Sequence, residues 1–361
     1  MCAVAWSAKK SETYAITFDP VPATKTKKTV ENPMKGLRAR LSEAGIKRKY
    51  LNETVLPSWW DESLALTPGG FREVTAYISA HIGYSLKSLL DPTSELAFSQ
   101  AGNVKYKKAK GKTEDDVCLS TQIALALARA VARAFSDNPA FEALPPPTEW
   151  REKLLARSDR DWVCLRHILR YSWEAGIPVV FLKNLPTAAK KPDALTTMVG
   201  DRPVIVILNG RKSPSWIAFI VAHELGHIHH GHLKPGQTLV DEKIDSNSAE
   251  QEEIDANAYA ALLLTGHSNL GLHSVSRMNT KQLASQAKEF GKNYRVAPGV
   301  AALNYGFNTR EWALSNGALS VLEKEDDAGL DLAGATRENL DAAEVSEEAW
   351  EFISRTTGLG A

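Results

Sequence analysis

Residues 213–232 read SPSWIAFIVAHELGHIHHGH, and the rest of the chain is best read outward from them. Ser213 is a good N-cap and Pro214 suits the first helical position, so a helix is predicted from there to Gly231. Residues four apart on a helix lie one above the other on one face. His223 and His227 therefore offer two imidazoles to one point, as a tetrahedral zinc ion requires. Glu224 lies about 100° around the helix from His223, which puts its carboxylate beside that point. This is the HExxH spacing, in which the glutamate takes a proton from the attacking water. Ile217, Phe219, Ile220 and Val221 make the first turns apolar. The helix is thus predicted to be buried, and buried imidazoles need partners.

The neighbouring histidines are weighed separately. His230 shares the face of His223 but lies roughly 10 Å further along a continuous helix, out of reach of the same ion. A three-histidine site of the HExxHxxGxxH kind needs glycine at 230 and histidine at 233, where His230 and Leu233 stand. His229, His230 and His232 are therefore expected to be exposed bystanders, favoured by the negative end of the helix dipole. A third ligand must come from elsewhere. The next helical pattern runs from Ala249 to Gly266. There Glu253 is a ligand candidate, and Asn257, on the same face, can accept the second N–H of a ligand histidine. Glu250, Glu252 and Asp255 are alternatives, and spacing does not decide between Glu250 and Glu253.

Before this region, Pro145-Pro146-Pro147 marks an expected domain boundary. The predicted organisation is a loose basic leader (1–32), a mostly helical domain (33–145), a domain built on the HExxH helix (148–322) and an acidic helical tail (323–361). In the helical domain, helices are expected at Met34–Ala44, from Thr67-Pro68 through Phe71, Val74, Ile78 and Ile82, over Ser85–Leu90, and from about Thr113 to Phe135. Beyond the prolines come a helix (Trp150–Ala175), a turn at Gly176, a strand (Ile177–Leu182), a loop, and a strand (Val204–Leu208). The fold class is α+β, with a small mixed sheet. Val204, Ile205, Val206, Ile207 and Leu208 are expected to form the sheet edge above the site, where an extended substrate adds as a further strand.

Composition excludes little more. The 361 residues carry 43 Lys+Arg and 43 Asp+Glu, so net charge points to no partner. Basic residues predominate from Lys9 to Lys49 and acidic ones from Glu323 to Glu351, which reads as two solvated ends. The apolar stretch Leu119–Phe135 contains Arg129 and Arg133 and is too short to span a bilayer. No secretory signal opens the chain, and Cys2, Cys118 and Cys164 show no CxxC spacing. A cytoplasmic protein with reduced thiols and no membrane association is expected.

Four segments between Leu165 and Trp312 resemble the ImmA/IrrE family of metallo-endopeptidases, a gluzincin-like group. They are LRYSWEAGIPVVFL, VIVILNGRKSPSWIAFIVAHELGHIHHGH, EIDANAYAALLL and YRVAPGVAALNYGFNTREW. The resemblance implies a zincin-like domain holding one Zn²⁺ on His223, His227 and Glu253, with Glu224 as general base and Asn257 behind a ligand histidine. Asp255 and Tyr259 stand where the family usually has Glu and Phe, and Thr265-Gly266 replaces a common proline. The family also implies a protein substrate, typically a cognate helix-turn-helix repressor cut in a stress, phage or defence circuit. FREVTAYISAHIGYSLKSLLDP (71–92) resembles the tail of a degenerate repressor-type helix-turn-helix domain. Its 71–90 portion has Arg72 and Lys87 as its only Lys or Arg residues, which weighs against direct DNA binding. The competing expectations are a DNA-binding regulator or antitoxin with an autoproteolytic or structural zincin domain, and a pseudo-enzyme with a structural metal. Tyr259, His267 and His273 are within sequence reach as oxyanion donors, and nothing selects among them.

Overall fold

Runs of β-branched and apolar residues between 179 and 241 supply most of a five-stranded sheet. The strands are β1 (Val104–Lys107), β2 (Val179–Phe181), β3 (Ala194–Val199), β4 (Arg202–Ile207) and β5 (Thr238–Asp241), in the spatial order β1-β5-β3-β4-β2. β3 and β4 form an antiparallel hairpin whose tight turn uses Gly200 at φ 62°. β5 runs antiparallel on the other side of β3, while β1 and β2 are parallel to their neighbours. The sheet is mixed, as expected. The computed structural model describes residues 32–99, 104–107, 115–135, 139–241, 250–274 and 276–359. The predicted leader falls almost wholly on residues 1–31, outside these ranges.

Alternation along the strands gives the sheet two apolar faces. Val179, Ile205 and Ile207 enter a core shared with helices Leu165–Glu174, Pro214–His229, Gln251–Thr265 and Pro298–Thr309. Val180, Val204, Val206, Leu208 and Val240 enter a second core, shared with helices Pro33–Glu43, Pro68–Ile82, Asp115–Ala134 and Glu347–Thr357. β4 is thus paired on both sides and covered on both faces. This corrects the expectation that Val204–Leu208 is a sheet edge. An unbroken apolar run marks an interior strand, whereas an edge strand carries polar interruptions.

The proline run is not a boundary between packed units. Asn32–Ala361 form one compact unit, because β1 precedes the prolines and pairs with β5, which follows them. Pro147 simply opens helix Pro147–Ala156. The single helix expected over Trp150–Ala175 is two, ending at Ala156 and restarting at Leu165. Between them Ser158 bonds its own neighbourhood instead of a helix, accepting from Arg160 N and donating to Arg160 O. The acidic end is no solvated tail either: Phe352 and Ile353 are buried, and Phe352 stacks on His81 with ring centroids 4.0 Å apart. Helix Asp115–Ala134 contains a window, Val117–Ala134, long and apolar enough to cross a membrane, and 67% of it is buried inside the protein.

The HExxH helix, Pro214–His229, begins as its sequence dictates, with Ser213 Oγ accepting from Trp216 N at 3.2 Å. Glu323 reaches back to this end, accepting from Ser213 Oγ, from Ser215 Oγ at 2.5 Å and from Ser215 N at 3.2 Å. A carboxylate there complements the positive end of the helix dipole. Further along, this helix packs against Gln251–Thr265 at Gly226. A Cβ on Gly226 would lie 2.8 Å from Ala256 Cα and 3.0 Å from Tyr259 Cβ. Gly226→Ala is expected to force the helices apart and cost about 1–3 kcal/mol, read as a lower urea midpoint at unchanged slope.

Candidate metal centre

Three elements deliver the polar groups of the site. The HExxH helix supplies His223, Glu224 and His227, each 0% exposed. The adjoining helix supplies Glu253 and Asn257, and the sheet supplies Thr196 from β3 and Asp241 from β5. Amphipathic spacing puts the two imidazoles together, and the close approach at Gly226 brings Glu253 to them.

The Nε2 atoms of His223 and His227 are 3.1 Å apart. Glu253 places Oε2 3.4 Å from His223 Nε2 and Oε1 3.4 Å from His227 Nε2. Asp241 Oδ2 lies 3.8 Å from both. One ligand atom from each of these four residues falls within 4.8 Å of all the others. A tetrahedral ion with bonds of about 2.0–2.1 Å needs donors separated by about 3.3 Å. The donor set therefore fits a divalent cation in chemistry and in size.

Each imidazole is oriented from behind. Asn257 Oδ1 is 3.1 Å from His223 Nδ1, so it accepts that proton and leaves Nε2 as the ligand atom. His232 Nδ1 is 2.8 Å from His227 Nδ1. His232 is thus not a bystander. The helix ends in a Schellman-type turn: Gly231 adopts φ 68° and His232 N donates to His227 O at 3.0 Å, folding the side chain back over the helix end. His230 is exposed as expected, and His229 lies against Leu144 O at 3.0 Å.

Glu224 stands beside the cluster, with Oε2 accepting from Thr196 Oγ1 at 2.5 Å and Oε1 lacking a donor among the described residues. Burial pushes its carboxyl up to about 7; the hydrogen bonds with Asp241 and Thr196 oppose the shift, and the charges of Glu253 and Asp193 add to it. Burial, and then the Glu224 charge, raises Asp241 well above the usual carboxylate range. Two ionised carboxylates make no hydrogen bond to each other. Once either takes a proton they share it, and in this state the pair supports Glu224.

Among the acids left open by spacing, Glu253 alone enters the site. Glu252 pairs with Lys105 at 2.5 Å, Asp255 accepts from Gln251 at 2.7 Å, and Glu250 sits at the helix N-cap. Tyr259 packs on the His229 ring, while His267 and His273 are exposed. The site thus gathers His223, Glu224, His227, Glu253 and Asn257, and leaves out Val204–Leu208. Thr196, His232 and Asp241 are additions that only long-range pairing and a chain reversal bring in.

Residues 174–302 match a peptidase family model described as IrrE N-terminal-like domain. This segment is an ImmA/IrrE-family domain. It contains all the residues of the cluster, and its function is of metallopeptidase type. No curated protein and no solved structure matches the chain.

Two expectations follow for the ImmA/IrrE domain. His232→Ala and Asn257→Ala each free one imidazole, and metal affinity should fall roughly 10–100-fold in chelator competition. In metal-stripped protein, folded Glu224 keeps its proton to about pH 7, whereas its ordinary value is 4.5. Between these values the folded state binds more protons, so stability falls as pH rises. Glu224→Gln should remove the Glu224 share of that slope, leaving the share of Asp241, and gain up to roughly 3 kcal/mol over the parent at pH 7 in thermal melts.

Proposed function

We propose that the chain is a zinc-dependent endopeptidase whose single metal is held by His223, His227 and Glu253. The observation that carries this is a cluster of ligand atoms at ion-sized separations with a carboxylate, Glu224, beside it on Thr196. When bound, the metal would supply a Lewis acid that polarises a peptide carbonyl and lowers the pKa of water.

The chain's own residues do the rest. Glu224, with its carboxyl raised toward neutrality, takes the proton of the attacking water and returns it to the leaving amine. Thr196 fixes the Glu224 oxygen that is not needed for that transfer. Asn257 and His232 hold the imidazole tautomers. β3 is the strand beside Glu224, and an extended peptide would pair with it there only by taking the edge that β5 now holds.

A repressor-type helix-turn-helix protein as substrate, in a stress or phage-related circuit, is the reading supported by the family resemblance. A reducing, cytoplasmic setting agrees with Cys118 and Cys164 forming no disulfide among the described residues. The test is co-expression with repressor-type proteins encoded beside the gene, read by intact-mass spectrometry. The parent should yield a fragment that Glu224→Gln does not, while both carry about one zinc per chain. The same fragment from both, or a parent without zinc, would sink the reading. Glu253→Ala should lose the metal and Glu250→Ala should keep it.

A further inference from the structure

Asp241 is a group that a three-ligand peptidase centre does not call for. Two histidines and one glutamate leave the fourth tetrahedral position to water or substrate. Here a protein carboxylate faces that position, 3.8 Å from both ligand imidazoles. Asp241 is 1% exposed, and apart from a proton shared with Glu224 its oxygens have no donor among the described residues. A carboxylate in that state is costly unless a cation or a shared proton compensates it.

On that reading, the strand that carries it holds the β3 edge that a substrate peptide would need. β5 pairs antiparallel with β3, with Asp241 opposite Ala194 and Leu239 opposite Thr196, the residue that holds Glu224. Asp193 N donates to Asp241 O at 2.8 Å and Met198 N to Gln237 O at 3.1 Å, so β5 uses the β3 edge from end to end. The Thr197 and Thr238 hydroxyls add a contact of 2.8 Å. On its far side β5 is covered by β1, whose Lys105 pairs with Glu252, next to Glu253. A peptide adding to β3 beside Glu224 must therefore take the backbone groups that β5 now occupies.

We propose that Asp241 is a fourth protein ligand of the metal, delivered by β5 in the place of a substrate strand, so that the folded chain holds its own centre closed. This rests on the metallopeptidase reading above. A substrate strand then competes with β5 for β3, and Asp241 leaves the metal as β5 leaves the sheet. Asp241 has no part in the proton transfers, which stay with Glu224.

The test uses the full chain loaded with Co²⁺, whose visible bands report ligation, and acetohydroxamate as the probe of an open position. Acetohydroxamate should shift the bands of Asp241→Ala at concentrations that leave the parent unchanged, with an apparent affinity at least about tenfold tighter. Asp241→Asn keeps the side-chain volume and should shift the same way, which covers the case of an alanine variant that fails to fold. Loss of an outer partner already weakens metal binding roughly 10–100-fold, so both variants should lose at least about tenfold in chelator competition. A parent that binds acetohydroxamate as tightly as the variants, or variants with parental metal affinity, would overturn the role of Asp241 and leave the metal centre standing. A parent that takes up neither Co²⁺ nor Zn²⁺ would bring down the metallopeptidase reading itself.

Discussion

Five ionisable side chains share one dry volume. His223, His227, Glu224 and Asp241 are at most 1% exposed, and Glu253 is 5% exposed. Ionised carboxylates removed from water cost several kcal/mol each unless opposite charge lies within reach. Among the described residues neither Glu224 nor Asp241 makes an ion pair with Lys or Arg, and burial, with the negative charge of Glu253 adding to it, raises both carboxyls. A divalent cation, or protons in its place, must supply the compensation. The fold around the site is shaped by the same need, because it must exclude water while holding donors at ion-sized separations.

That need accounts for the architecture. The HExxH helix can bury its imidazoles only if a second helix comes close enough to cover them, and Gly226 permits that approach. The opposite wall is the sheet, which contributes Thr196 and Asp241. A sheet stiff enough to serve as a wall needs its other face buried as well. The helices before residue 135 and the helix Glu347–Thr357 provide that cover. Segments read from sequence as separate parts are thus the backing of the site, and Glu323 ties the chain's acidic end to the start of the helix that carries the imidazoles.

What was legible in the sequence is what local geometry governs. Ser213, Pro214 and the four-residue spacing announce the helix and the imidazole pair, because capping and the 3.6-residue period act over one or two turns. Asn257 follows from the same period once Glu253 is chosen. Periodicity alone leaves Glu250 and Glu253 open; the family resemblance selects Glu253, and the packing of two helices accounts for it. His232 was hidden by treating the helix as continuous to Gly231, although a glycine so near its end is itself the mark of a reversal. β1 (VKYK), β3 (ALTTMV) and β5 (TLVD) break their apolar runs with polar residues and are made strands by their neighbours, so they are not legible. Asp241 lies at the end of the least legible of them, so no local pattern points to it.

A four-ligand closed centre is the usual mark of a structural metal, which makes Glu224 the decisive residue. It is 0% exposed, it is not among the four clustered ligands, and one of its oxygens lacks a donor among the described residues. Without a metal, burial raises its carboxyl to about 7 from 4.5, so an ionised Glu224 there is a cost to the fold. A structural centre would be more stable with an apolar side chain in its place. The strain has a use only if the carboxylate exchanges protons with something that enters, and entry requires the fourth position to open. Glu224 and Asp241 therefore belong to one argument. The first gives the site a reason to open, and the second, held on a four-residue strand and not on the helices, is the ligand whose departure leaves His223, His227 and Glu253 in place.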